Sequence, residues 1–333
     1  MSDLLRPLIH TLSDGQFHSG TELGKTFAIS RAAVWKYIQK MNDLGLEIHS
    51  VRGKGYRMPQ PVGLLDDSVI ASLDTESDAG ILQHLEILDS TDSTNSHAMR
   101  CLQQGNLVME NGRYAVFLAE QQTRGKGRRG RQWVSPYGRN VYLTLVRLVD
   151  AGATGTEGMS LVVGLAVIRA LKHLGVHHAG VKWPNDVVCE GKKLAGILLE
   201  ITGDVTGVCQ LLIGIGINTR CPPESMDGVD QPWTDLYQLT GQETDRNQLV
   251  TRVITEVMAV MAEFEHSGMA AFLEEWKRHD VMYGKQVELT TAGSSRTGRA
   301  MGIAETGALV LETTEGQILV SGGEISLREK SAS

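Results

Sequence analysis

The segment Tyr114-Ala-Val-Phe-Leu-Ala-Glu120 reads as a buried strand. It runs straight into Gln122-Thr-Arg-Gly-Lys-Gly-Arg-Arg-Gly-Arg-Gln-Trp133, which holds five cationic side chains and three glycines. A strand that delivers such a loop must leave its sheet where the loop can close over something anionic. Glycine lets backbone N–H groups turn toward a ligand, while Lys126, Arg128, Arg129 and Arg131 can neutralise phosphate oxygens, arginine in bidentate fashion. Taken alone, the loop also fits a solvated surface or a general nucleic-acid patch.

At 333 residues and 41% hydrophobic content the chain can bury a sizeable core, and its length predicts two or three domains. No apolar run approaches a membrane span, and the start, Met-Ser-Asp-Leu-Leu-Arg-Pro, lacks the features of a signal peptide, so a cytoplasmic location is expected. Cys101, Cys189, Cys209 and Cys221 are scattered, without a Cys-x-x-Cys pair or matching His spacing. Reduced, partly buried thiols are expected rather than disulfides or a zinc site. The net charge is −7, but residues 1–63 hold eight Lys/Arg against five Asp/Glu, a balance of +3 that leaves −10 for the remainder. A basic N-terminal module on an acidic body predicts that the first module is the part that meets a polyanion.

That module, 1–63, reads as short helices followed by a hairpin. Thr21 to Phe27 forms one helical turn and Ala28-Ile29 a connector. Ser30 caps a second helix in which Val34, Ile38, Met41 and Leu44 recur at helical spacing, and Gly45 ends it. This is helix-turn-helix spacing. The opposite face offers Arg31, Trp35, Lys36, Gln39 and Lys40, and Ile48 to Met58 forms a wing with Arg52 and Lys54 at its glycine-containing tip, suited to lying on phosphates. The competing reading is an amphipathic helical pair packed on the body, its charges merely facing water. Pro59 and Pro61 mark a hinge.

From residue 64 to 283 strands and helices alternate. Tyr114–Glu120, Val141–Arg147, Lys193–Ile201 and Val208–Ile217 look like buried strands, and Glu157–Leu174 and Asn247–Glu265 have helical periodicity, which argues an α+β domain with a mixed sheet. In 284–333, Val287–Leu289, Arg299–Ile303, Leu309–Glu312 and Ile318–Ser321 are separated by glycine-containing turns and predict a small SH3-like β-barrel.

Three further segments accompany the basic loop: Asp92-Ser93-Thr94-Asn95, Lys182-Trp183-Pro184-Asn185-Asp186 leading to Lys193-Leu194-Ala195-Gly196, and Gly214-Ile-Gly-Ile-Asn218. Gly214 and Gly216 lack the following helix and acidic residue of a dinucleotide fingerprint. In this order the segments resemble the catalytic domain of biotin–protein ligases. With the N-terminal module, the whole chain resembles the bacterial bifunctional ligases that also repress the biotin operon.

The resemblance implies that biotin and ATP, with Mg2+, form biotinoyl-5′-AMP, and that biotin then passes to a lysine of biotin carboxyl carrier protein. Lys193, Arg128, Lys126 and Asp186 would be catalytic. Ser93, Thr94, Asn95 and Gln122 would contact the biotin rings, with Lys126, Gly127 and Arg128 along its tail and Lys193 bridging the carboxylate and α-phosphate. Gly125, Arg131, Trp133, Lys182, Asn185, Asn218 and Arg328 would serve ATP or the adenylate, while the residue holding Mg2+ is not identified. The bacterial members that the chain most resembles differ at Thr123 and Arg124 and carry Arg where it has Lys126, a replacement of a bidentate fork by a point charge that is familiar in other ligases of the family. The glycines of the loop imply that it folds over after ligand enters. The family would bind biotin operator DNA as an adenylate-bound homodimer. Two alternatives stay open at this level: a non-catalytic repressor that senses a nucleotide-like effector, and a monofunctional ligase for a related acid such as lipoate.

Overall fold

A computed structural model describes residues 4–71, 81–150, 156–203, 207–291, 294–322 and 326–329. The first helix, α1 (Leu5–Leu12), is followed by α2 (Gly20–Thr26) and α3 (Arg31–Asp43). Ser19 and Glu22 form a reciprocal capping box at the start of α2, and the Ser30 hydroxyl accepts from Ala33 N at the start of α3. A Cβ on Gly24 would lie 2.7 Å from Ile29 O, so glycine is what lets α2 pack against the connector. Val34, Ile38 and Met41 of α3 are buried in one cluster with Leu5, Leu8, Ile9 and Leu12 of α1, a helix the periodicity argument did not delimit. The expected wing is the antiparallel pair β1 (His49–Val51) and β2 (Gly55–Arg57).

Where Pro59 and Pro61 suggested a hinge, the linker is tied to the body. Glu120, fully buried at the end of the first predicted strand, accepts from Leu65 N at 2.7 Å and pairs with Arg246 at 2.6 Å; Arg246 also donates to Gly63 O. Arg6 of α1 reaches Asp89 at 2.9 Å. A buried carboxylate needs such partners, and here the segment that follows the prolines supplies one, Leu65 N, beside Arg246. The short α4 (Asp67–Ala71) comes next.

The central domain is a seven-stranded sheet of order β3-β4-β5-β9-β8-β7-β6: β3 (Leu82–Leu88), β4 (Tyr114–Ala119), β5 (Val141–Asp150), β6 (Ala179–Lys182), β7 (Asp186–Cys189), β8 (Lys192–Gly203) and β9 (Val208–Ile217). Only β3 and β4 run parallel; the other neighbours are antiparallel, as a mixed sheet requires. Its helices are α5 (Thr94–Gln103), α6 (Thr156–His173), α7 (Leu236–Thr240), α8 (Arg246–Ser267) and α9 (Leu273–His279).

Strand alternation assigns the two faces. Leu143, Leu145, Ile213, Ile215, Ala195, Ile197 and Val187 join α6 and α8 in the main core. The alternate residues turn to the other face, where Ala115, Phe117, Val146 and Leu212 pack against Ala98 of α5. That same parity places Thr144, Gly214, Gly216, Gly196, Leu198 and Asp186 on the α5 face beyond the helix.

The C-terminal segment is a five-stranded antiparallel sheet of order β13-β12-β11-β10-β14, with β10 (Gln286–Thr291), β11 (Ser294–Ile303), β12 (Leu309–Thr313), β13 (Gly316–Val320) and β14 (Ser326–Glu329). Val287, Leu289, Leu309 and Leu311 bury into the core of the central domain, and Trp183 Nε1 donates to Gly307 O at 3.1 Å. No helix among the described residues is long and apolar enough to cross a membrane.

Candidate active site

On the α5 face lies a cavity of about 950 Å³, within the range that accommodates a small-molecule ligand. Its floor is bare backbone. A Cβ on Gly214 would stand 2.5 Å from Asn95 Oδ1, and one on Gly216 would stand 2.5 Å from the Trp133 ring, so glycine at both positions lets side chains lie flat on β9. Neither glycine was assigned to the site from the sequence. Their alternate spacing on one strand face was the available signal.

One end of the cavity is polar and fixed. Thr94 N donates to Gln122 Oε1 at 2.9 Å, and Gln122 Nε2 donates to Ser135 Oγ at 3.0 Å. Asn95 Nδ2 donates to Glu200 Oε2 at 2.7 Å, and the Thr144 hydroxyl lies 2.6 Å from Asn95 Oδ1. Ser93, Thr94 and Asn95 are buried. The helix begins at Thr94, which seats Thr94 and Asn95 in its first turn with Ser93 as N-cap. Thr144 and Glu200, which hold Asn95, were overlooked because each is a single polar residue inside an otherwise apolar strand.

The rest is cationic. Lys193 Nζ pairs with Asp186 Oδ1 at 2.7 Å and stands 5.4 Å above the centre of the Trp133 ring. The pair forms because β7 and β8 are antiparallel neighbours joined by a tight turn at Glu190 and Gly191, both with positive φ. Arg128 donates to Asn185 Oδ1 at 3.2 Å and to Gly322 O of the C-terminal domain. Lys126 lies 3.7 Å from Glu200. Burial pulls the Lys182 ammonium below its usual range, with Lys193, Arg328 and Arg131 pushing the same way and Asp186 opposing them. An anionic ligand would relieve that repulsion.

The loop is internally hydrogen-bonded: Gly127 N donates to Arg131 O at 2.7 Å and Trp133 N to Gly125 O at 2.9 Å. Arg129 holds the left-handed conformation at φ 59° between them. Gly125 is buried in the loop, where a Cβ would meet Trp133 O at 2.4 Å.

Of the residues singled out in the sequence, Ser93, Thr94, Asn95, Gln122, Lys126, Gly127, Arg128, Arg131, Trp133, Lys182, Asn185, Asp186, Lys193 and Arg328 all border this one cavity. Asn218 does not: it is buried, and its amide donates to Thr234 O at 3.0 Å. It braces the segment that also bonds Lys193 O, through Thr234 N at 3.0 Å. In the N-terminal module Arg31, Trp35, Lys36, Gln39 and Lys40 are exposed on α3, and Arg52 and Lys54 are exposed at the wing. Trp35, at 54% exposure, is not a core residue.

Models of known families match in the same order along the chain: an HTH domain over residues 5–57, the biotin/lipoate A/B protein ligase family over 88–218, and the biotin protein ligase C-terminal domain over 283–328. Fold and site therefore define a protein ligase of the biotin/lipoate class preceded by a DNA-binding module. The chain is similar to the bifunctional ligase/repressor BirA of Escherichia coli (strain K12), at 38% identity over 96% of each chain. It is also similar to the biotin–[acetyl-CoA-carboxylase] ligase of Paracoccus denitrificans, at 31% identity over 72% of this chain and 98% of the relative. The solved biotin protein ligase of Aquifex aeolicus in complex with biotin and ATP superimposes with a TM-score of 0.62 at 29% identity, covering 74% of this chain and all of that one. The chain belongs to the family of bifunctional biotin–protein ligases and biotin-operon repressors.

Proposed function

We propose that this protein activates biotin with ATP in the described cavity, transfers biotin to a lysine of biotin carboxyl carrier protein, and uses the adenylate as corepressor. The observation that carries this reading is the meeting of Lys126, Arg128, Lys182 and Lys193 at the glycine floor, next to the polar group built from Thr94, Asn95 and Gln122. In the first step a biotin carboxylate oxygen bonds to the α-phosphorus and pyrophosphate leaves. Two anions must be held together for this, so fixed cations sheltered from water supply both the clamp and the stabilisation of charge at phosphorus. Lys193 bridges the reacting carboxylate and phosphoryl oxygens, and Asp186 keeps its ammonium in place. Arg128 spans the loop and the C-terminal domain, so its contacts close the cavity over the reactive acyl-adenylate. In the second step the carrier's lysine amine attacks the acyl carbon and AMP leaves.

Mg2+ takes oxygen ligands and is commonly held by one or two carboxylates together with substrate phosphates. Asp186, a carboxylate in the cavity wall, fits such a donor set; there Mg2+ would neutralise phosphate charge. Trp133 would pack on the adenylate, with Lys182, Asn185, Arg131 and Arg328 around the nucleotide and Gly125 shaping the loop. Asn218 positions the Lys193 strand instead of touching nucleotide.

Three domains, 1–63, 64–283 and 284–333, in a cytoplasmic protein would divide the work, with α3 and the wing on biotin operator DNA. Two wings related by a homodimer axis would grip a two-fold operator more tightly than one. The test of the double activity is transfer of labelled biotin to purified carrier protein, run beside footprinting of a biotin-operon promoter. ATP-dependent labelling and protection that requires both biotin and ATP are expected. Lipoate labelling in place of biotin, or protection independent of both ligands, would contradict the reading.

A further inference from the structure

A second group of ligating side chains lies outside the cavity, between the edge strand β3 and helix α5. His84 and Glu86 alternate on β3 and so share a face, while His97 and Cys101 are one helical turn apart on α5. His97 Nε2 is 3.0 Å from Glu86 Oε2, and Cys101 Sγ is 3.6 Å from His97 Nε2. The ligating atoms of Glu86, His97 and Cys101 all lie within 4.8 Å of one another, and His84 Nε2 is 3.6 Å from the same Glu86 oxygen. A tetrahedral zinc ion, with bonds of about 2.0–2.1 Å to nitrogen or oxygen and about 2.3 Å to sulfur, sets its ligand atoms roughly 3.3–3.6 Å apart. The Glu86–His97 and His97–Cys101 spacings are therefore near those of a filled site.

We propose that Glu86, His97 and Cys101 bind a borderline-soft divalent transition metal, Zn2+ being the ion that this oxygen, nitrogen and sulfur set suits best, with His84 in reach of the fourth position. Without an ion the three groups form an ion pair between Glu86 and His97 and a thiol–imidazole contact one helical turn along α5; a metal would draw all three donors onto one centre. Oxygen-seeking ions such as Mg2+ or Ca2+ are excluded by the same thiol and imidazole. Coordination would displace the Cys101 thiol proton, so metal binding would release a proton. Sequence spacing argued against zinc because the ligands are split between two elements; the pattern is His-x-Glu on a strand and His-x-x-x-Cys on a helix. The site would bolt α5 to β3, and α5 presents Thr94 and Asn95 to the cavity at its other end.

The test uses the reduced, chelator-stripped full chain titrated with Co2+ and then Zn2+. A thiolate-to-cobalt charge-transfer band saturating at one ion per chain and abolished by Zn2+ is expected. Cys101→Ser should remove the band, and His97→Ala should weaken Zn2+ binding at least tenfold. On the unmutated chain, Zn2+ should slow alkylation of Cys101 identified by peptide mapping, a readout that needs no variant to fold. No thiolate band, an equal band in Cys101→Ser, or alkylation of Cys101 at the same rate with and without Zn2+ would overturn the proposal.

Discussion

Asn95 rests directly on the backbone of Gly214, so closely that a Cβ there would meet Asn95 Oδ1 at 2.5 Å and Nδ2 at 2.9 Å. The two shortest of the bonds that hold the amide in that place run to Glu200 at 2.7 Å and to Thr144 at 2.6 Å. Gly214→Ala must push Asn95 off both partners. Biotin affinity should fall roughly tenfold or more, the loss of one or two polar contacts, with a smaller effect on ATP. Calorimetric titration with each ligand checks this; equal losses for both would show that the substitution disturbs the whole cavity.

The loop from Arg124 to Arg131 exposes Arg124, Arg129 and Arg131 to solvent, yet Arg128 is anchored to Asn185 and to the C-terminal domain. Trypsin should cut within this loop in the free protein and spare it when biotin and ATP are present, since ligand phosphates add partners to the same cations. Cleavage at one rate in both states would mean that the loop takes no part in closure.

The exposed wing and the exposed face of α3 predict separable effects on DNA. Replacing Arg52 and Lys54 together by Ala should weaken operator binding across sequences, and flatten its log–log salt dependence by about one unit per lost phosphate contact. Gln39→Ala should instead relax discrimination at particular bases, a base-edge contact being worth roughly 1–3 kcal/mol. Both surfaces lie outside the ligand cavity, so pyrophosphate exchange should be unchanged.

The Asp280 carboxyl is pushed up to about 6 by burial, against the hydrogen bond it accepts from Met282 N at 2.9 Å. A folded-state value above the ordinary 3.8 means that the protonated form adds stability, fully present below pH 3.8 and lost as pH rises through about 6. Asp280→Asn is uncharged throughout and keeps an oxygen for Met282 N. Between pH 4 and pH 7.5 it should therefore gain on the unmutated protein, by about 3 kcal/mol at most. Urea midpoints measured across that range test it, and parallel curves would contradict it.

The central strands were legible because burial on both faces makes them long apolar runs; Val208–Ile217 has the bounds expected of it. The helix α3 was legible from Ser30 and its buried stripe. β3 was not, because its polar Gln83, His84 and Glu86 interrupt the run on an edge that needs no second apolar face. β6 and β7 are four residues each, too short for periodicity to register. Within the site, motif order brought nearly all the named side chains to one cavity, because each motif lies on the α5 face of the sheet or in the loop beside it. Asn218 departs from that pattern because its strand ends at Ile217 and its amide is consumed by backbone carbonyls. Side chains that only support others, such as Thr144 and Glu200, carry no local signal, since their partners are 49 and 105 residues away.

Biotin-dependent exchange of labelled pyrophosphate into ATP, on the purified chain and on Lys193→Ala, tests the central claim most directly. Lys193 is the cation held by Asp186 at 2.7 Å over Trp133, and removing it deletes charge-assisted contacts of a few kcal/mol from the adenylation step. The account predicts exchange that requires biotin in the unmutated protein and is slower by several tens-fold or more in the variant, with little change in thermal stability. Exchange that proceeds without biotin, or a Lys193→Ala variant as fast as the unmutated chain, would contradict it.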